Sequence, residues 1–124
     1  MNYLILGING EIGKSIFNEI YNENDNFITT YNSQMPNIKK KNVYPLKLDF
    51  EKIQQNRFKI RKVIKKFKNI HFIINNVGNA NPYKDTLKVK LNELDRSMKI
   101  NFYSPLYIIL EVLNKSLKLK SSLN

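Results

Sequence analysis

The sequence contains no cysteine, which removes disulfide frameworks, thiolate metal centres and cysteine nucleophiles together. It has one histidine, His71, so neither a His-rich metal site nor a Ser-His-Asp triad is expected, and no metal ligands are assigned. No run approaches the roughly 18 apolar residues that span a bilayer. The start, Met1 to Gly7, has no basic leader and too short an apolar run for a signal peptide. Acids are also scarce, ten against 21 Lys and Arg. What is present is a chain of 124 residues, 42% apolar, a length and composition that fit one globular domain rather than two, or a disordered tail. The expectation is a single soluble, cytoplasmic domain over residues 1–124 with no membrane partner.

The net charge of +11 raises a nucleic-acid or acidic-surface reading. Its distribution is uneven. Lys39 to Lys68 holds twelve Lys and Arg against two acids, Asp49 and Glu51, a net +10 in a quarter of the chain. Composition competes with function here. Lys, Asn and Ile make up 53 of the 124 residues, and all three come from AT-rich codons, which would raise lysine on any solvated face. The solvated face is the preferred reading, a polyanion site the other. Nucleic acid is not expected as a partner.

Along the chain, Tyr3 to Leu6 is a short apolar run that opens into glycine, the pattern of a strand buried on both faces. From Glu11 the period becomes helical, with Ile12, Ile16, Phe17, Ile20 and Tyr21 as its apolar positions. Phe27 to Tyr31 is β-branched and aromatic, a second strand. Asn32 to Asn42 reads as a loop. Val43 to Phe50 is a third strand, and Pro45 suits an edge position. Glu51 to Asn69 is a helix with Ile53, Ile60, Val63, Ile64 and Phe67 on its apolar stripe. Ile70 to Ile74 is a fourth strand, and Asn75 to Pro82 a loop rich in turn formers. Asn92 to Lys118 is a long helix, with Leu94, Met98, Phe102, Leu106, Ile109, Leu110 and Leu113 on one face. The order β-α-β-β-α-β-α implies a parallel sheet with right-handed crossovers.

The glycine cluster Gly7-Ile8-Asn9-Gly10-Glu11-Ile12-Gly13 carries the chemistry. It ends a strand and opens a helix, the setting in which such a cluster binds phosphate. Gly7 can take a tight turn, Gly10 lets backbone N–H groups of Asn9 to Ile12 approach a pyrophosphate, and Gly13 allows close helix–strand packing. The helix start then offers free N–H groups and a positive dipole end. A purely structural turn is the competing reading.

This cluster resembles the G-x-x-G-x-x-G form of the short-chain dehydrogenase/reductase motif. Three more marks fall in the family's order. Asp49, with Phe50 beside it, matches the acid that meets the adenine ring. Asn75-Asn76-Val77-Gly78 resembles the family's Asn-Asn-Ala-Gly, and Asn101 matches the helix asparagine of its catalytic tetrad. The resemblance implies a Rossmann-like, doubly wound parallel sheet of about four strands in order 3-2-1-4, truncated relative to the family's domain. It also implies nicotinamide dinucleotide as cofactor, and a small carbonyl or alcohol substrate if the domain is completed. Two residues depart from the commonest motif: Glu11 stands where glycine is usual, and Leu6 where threonine is usual. The family's serine and Tyr-x-x-x-Lys have no counterpart. No tyrosine here is followed four residues later by lysine, and Ser121 and Ser122 follow no predicted strand.

Asn101 has a reading of its own. Pro105 has no N–H and cannot close the helical bond to the Asn101 carbonyl, so that carbonyl should be free and the helix should bend there. A plain proline kink is the competing reading. Cofactor choice rests on the end of the second strand. NAD sites usually place an acid there for the ribose 2′-hydroxyl, whereas this chain has Asn32 and Ser33. With Lys39 to Lys41 following, NADP is favoured. The functional expectation is an NAD(P)-dependent oxidoreductase of the carbonyl reductase or alcohol dehydrogenase type, inactive as this chain alone. The alternative is a non-catalytic dinucleotide-binding or interaction module. The 92–118 helix is the expected surface for any homo-oligomer.

Overall fold

The computed structural model describes residues 1–79 and 86–121. Four parallel strands form the sheet: β1 (Asn2–Leu6), β2 (Asn26–Tyr31), β3 (Val43–Lys47) and β4 (Phe72–Asn75). Their spatial order is β3-β2-β1-β4, the order that the family resemblance implied, and their parallel pairing is what the alternation of elements implied. Helix α1 (Glu11–Ile20) connects β1 to β2, and α2 (Ile53–Phe67) connects β3 to β4. After β4 come α3 (Leu91–Met98), a π-turn over Lys99–Tyr103, and α4 (Ser104–Ser121). Asn32 to Asn42 carries no helix, in agreement with the loop reading. Ala80, Asn81, Pro82 and Ser122 lie outside the described residues.

Strand alternation splits the core in two. Leu4 and Leu6 of β1 and Ile28 of β2 face one side, where they meet Leu48, Phe50, Ile60, Ile64, Ile108 and Val112. Ile5 and Phe27 face the other, against Ile8, Phe17 and Val43. The sheet is therefore sandwiched between α1 and the α2–α4 pair, and β1 is buried from both sides because apolar side chains leave water on each. Pro45 sits on β3, an edge strand, opposite Thr29. A missing N–H does least harm there. His71 starts the opposite edge: its N–H donates to the Asn2 carbonyl, and its Nδ1 accepts from the Asn2 N–H at 2.9 Å.

Two expectations about faces fail. Ile12 does not belong to the buried stripe of α1, being 67% exposed, while Gly13 and Phe17 are buried. The larger correction concerns the long helix. Its buried face is Ser104, Pro105, Ile108 and Val112, whereas Leu94, Met98, Phe102, Leu106, Leu110 and Leu113 are exposed. The apolar pattern runs nearly all round this helix, so periodicity gives no single face. The packing of α2 against α4 decides it.

Where a bend was expected at Asn101, the helix has a π-turn, in which the Ser104 N–H reaches back to the Lys99 carbonyl. A proline at 105 cannot supply the next helical donor, and a wider turn is one way a helix accommodates that gap.

Candidate functional site

The site forms at the carboxyl ends of β1, β2, β3 and β4. Gly7 leaves β1 with φ +79°, a conformation that glycine adopts without strain. Its N–H donates to Thr30 Oγ1 at 3.0 Å, and the Ile8 N–H to the Thr30 carbonyl at 3.1 Å. On the other side Asn76 fixes the turn. Its N–H donates to the Leu6 carbonyl at 2.9 Å and its Nδ2 to the Gly7 carbonyl at 3.1 Å. The glycine turn is thus held from both flanking strands.

The three glycines have different reasons to be glycine. A Cβ on Gly7 would lie 2.8 Å from the Asn76 carbonyl oxygen, and one on Gly13 only 2.5 Å from the Gly7 carbonyl oxygen. Both are excluded by the protein's own backbone. A Cβ on Gly10 would approach only the Asn76 side-chain amide, at 3.4 Å. Internal packing does not demand glycine at 10. Its bare backbone faces the cleft, where α1 begins with no side-chain cap on its first N–H groups. Those groups are the partners a phosphate takes at a helix start.

The cleft has a volume of about 320 Å³ and brings together Gly7, Asn9, Gly10, Asn32, Ser33, Asp49, Phe50, Asn76, Val77 and Gly78. A second hollow of about 550 Å³ adjoins it, where Glu11, Ile12 and Asn101 meet Gly10, Asn76, Gly78 and Asn79. Two assigned residues line neither. Gly13 is buried beneath the turn. Asn75 ends β4, and its Oδ1 accepts the Val77 N–H at 3.2 Å, which shapes the loop. Asn101 uses its side chain structurally. Its Oδ1 accepts the Asn79 N–H at 2.7 Å, and its Nδ2 donates to the Asn79 carbonyl at 3.0 Å and to Ser97 Oγ at 3.2 Å.

The lysine argument for the cofactor 2′-phosphate fails on position. Lys39, Lys40 and Lys41 do not line the cleft. Lys40 lies over the Tyr21 ring, 5.1 Å from its centroid, and its carbonyl accepts the Val43 N–H. That places the run at the amino end of β3, across the sheet from the site. Ser33 does line the cleft.

Three contributors were missed in the sequence. Arg96 lines the cleft and pairs with Glu51, its Nε and Nη2 at 2.9 and 2.7 Å from Oε1. Asn56 is fully buried in α2, and its Nδ2 donates to the Asp49 carbonyl at 2.8 Å. Asn56 had a readable signal: a polar residue three positions after Ile53 and four before Ile60, on the stripe itself. Glu51 and Arg96 had none, since a pair 45 residues apart is set by tertiary packing. Among the described residues there is no His/Asp/Glu cluster able to hold a metal, and no helix is long and apolar enough to cross a membrane.

A parallel sheet in this order, with a glycine turn and a helix N-terminus at the carboxyl ends of its strands, defines a Rossmann-like α/β fold. The short chain dehydrogenase family profile matches residues 2–122, and the chain belongs to that family. NAD(P) binding is the family's general property. Similar solved structures include ligand-free aldohexose dehydrogenase from Thermoplasma acidophilum (18% identity, TM-score 0.80), with 94% of this chain and 44% of that one covered. A short chain dehydrogenase/reductase from Saccharomyces cerevisiae also matches (18%, TM-score 0.81, covering 94% and 49%). So does serine dehydrogenase from Escherichia coli (18%, TM-score 0.78, covering 95% and 56%). The chain spans about half the length of these structures. A search of curated proteins finds no match.

Proposed function

We propose that this chain is the dinucleotide-binding part of an NADP-dependent carbonyl reductase or alcohol dehydrogenase of the cytoplasm, and that the 124 residues alone reduce nothing. The observation that carries the binding role is Gly10, a glycine that its own protein does not require, facing a cleft shared with Asp49, Asn76 and Gly78. In this reading Asn9 to Ile12 hold the pyrophosphate through backbone N–H groups, Asp49 and Phe50 meet the adenine, and Asn32 and Ser33 take the adenosine ribose. Val77, Gly78, Glu11 and Asn101 border the other end. The absence of an acid at 32 and 33 favours NADP over NAD.

The bound nicotinamide supplies hydride chemistry, and the protein must orient it and manage a proton. Asn101 fits a supporting role, because Pro105 leaves its carbonyl without the usual helical donor. The proton donor itself is missing, since none of these residues forms Tyr-x-x-x-Lys. General acid–base help is worth about 10²–10⁴ in rate, so no appreciable carbonyl reduction is expected from the chain alone. Calorimetric titration with NADP and NAD tests the binding, and Gly10→Val, which fills the phosphate space, should abolish it. Equal binding by that variant, or turnover at rates of roughly 1–10³ per second, would overturn the reading. A non-catalytic binding or interaction module is the second reading, favoured by the exposed apolar residues from Leu94 to Leu113.

A further inference from the structure

The cleft has two unequal ends on either side of the glycine turn. One runs past the end of β2, where a dinucleotide of this fold places its adenosine ribose. The other is therefore the nicotinamide end, the hollow bordered by Glu11, Ile12, Gly78, Asn79 and Asn101. Among the described residues Glu11 is the sole charged residue lining that hollow. Arg96 and Glu51 border the other compartment, and Lys14 lines a separate depression with Asn9, Phe17 and Met35. The Glu11 carboxylate is exposed, with no hydrogen-bond or ionic partner among the described residues. It stands in the first turn of α1, with no cation among the described residues paired to it.

We propose that Glu11 makes the site discriminate between redox forms, favouring the oxidised dinucleotide over the reduced one. The inference rests on the dinucleotide assignment above. The two forms carry the same phosphates, so the carboxylate repels their pyrophosphates equally. They differ in the ring: the oxidised nicotinamide bears a positive charge and the reduced ring bears none. Attraction between Glu11 and that ring is felt by one form only. Between partly solvated charges such an attraction amounts to about a two- to fivefold difference in affinity, and salt weakens it.

The test is calorimetric titration of the full chain and of Glu11→Gln with the oxidised cofactor, the reduced cofactor and ADP-ribose, which has no nicotinamide. Removing the carboxylate should tighten reduced cofactor and ADP-ribose alike and help the oxidised form less. The oxidised-to-reduced affinity ratio should then fall by about threefold, with a smaller fall at high salt. Glu11→Lys should lower the ratio further. If both forms bind and the ratio is the same in all three proteins, the proposal is overturned. Binding of none of the three compounds by any of the proteins would overturn the dinucleotide assignment together with it.

Discussion

The side chain of Asn101 holds the backbone of Asn79 by both of that residue's polar groups, accepting from its N–H at 2.7 Å and donating to its carbonyl at 3.0 Å. A residue in the π-turn thereby fixes the loop that leaves β4 and borders both halves of the cleft. Asn101→Ala removes both bonds and the third, to Ser97 Oγ. Because they are exposed, the stability cost should be small, about 1 kcal/mol. The local effect should be larger: hydrogen exchange at the Asn79 amide should speed up, and dinucleotide affinity should fall. Unchanged protection at Asn79 would show that other contacts hold the loop.

The glycines should separate stability from binding. Gly13→Ala puts a methyl group 2.5 Å from the Gly7 carbonyl oxygen and should destabilise the fold by about 1–3 kcal/mol, as overpacking does. Gly10→Ala meets only a side-chain amide and should leave stability within about 0.5 kcal/mol while weakening binding. Urea denaturation paired with calorimetry distinguishes the two. Equal destabilisation would mean that Gly10 is also a packing glycine.

Acid should weaken the fold through two carboxylates. The Asp25 carboxyl is lowered by a hydrogen bond from the N-terminal ammonium and another from Asn22, against a smaller upward push from burial. For Glu111 burial pushes upward, but Arg61 and Arg57 together outweigh it and the carboxyl is lowered. Arg57 Nε is 3.1 Å from Glu111 Oε2, and Arg61 pairs with Oε1. Groups lowered in the folded state bind fewer protons there than in the unfolded chain. Their contribution is full above the ordinary carboxylate range, about pH 4, and is lost as pH falls through the folded values. The denaturation midpoint should therefore drop as the pH is taken below about 4, and Glu111→Gln should flatten that drop.

The two sides of α4 should respond oppositely to substitution. Ile108→Ala, on the buried side, should cost about 2–4 kcal/mol. Leu106→Lys and Leu113→Lys, on the exposed side, should change stability by no more than about 0.5 kcal/mol. They should also reduce self-association in sedimentation experiments, since an apolar strip of this length invites a second surface. Oligomers that persist in the double lysine variant would place the contact elsewhere, with the β4 edge as the first alternative.

Helix α2 ends under strain. Lys68 has φ +62° and ψ −63°, and the Asn69 N–H closes a tight turn onto the Phe67 carbonyl at 2.7 Å. That turn is unfavourable for a residue with a Cβ. Lys68→Gly should raise stability by about 0.5–1 kcal/mol, read as a higher urea midpoint. A lower midpoint would mean that the lysine side chain contributes more than the backbone strain costs.

The order of elements, the four parallel strands and the glycine turn followed from local rules. Two-residue alternation and 3.6-residue periodicity are set by backbone geometry, and glycine marks the turn that other residues resist. The resemblance implied that Asp49, Asn76 and Gly78 belong to one site; each follows a strand, and parallel strands end on one side, so the fold brings them to one cleft. What the sequence left open concerned partners distant along the chain. The all-round apolar surface of α4 offered no preferred face, and contact with α2 chose Ile108 and Val112 over Leu106 and Leu113. Lys39 to Lys41 are close in sequence to Ser33 but sit at the opposite end of the strands, because the chain must cross the whole sheet before β3 begins. Glu51 meets Arg96, 45 residues along the chain, a pairing that only the tertiary structure decides. Periodicity reports that a side chain avoids water; the neighbour it meets is decided when the elements close on one another.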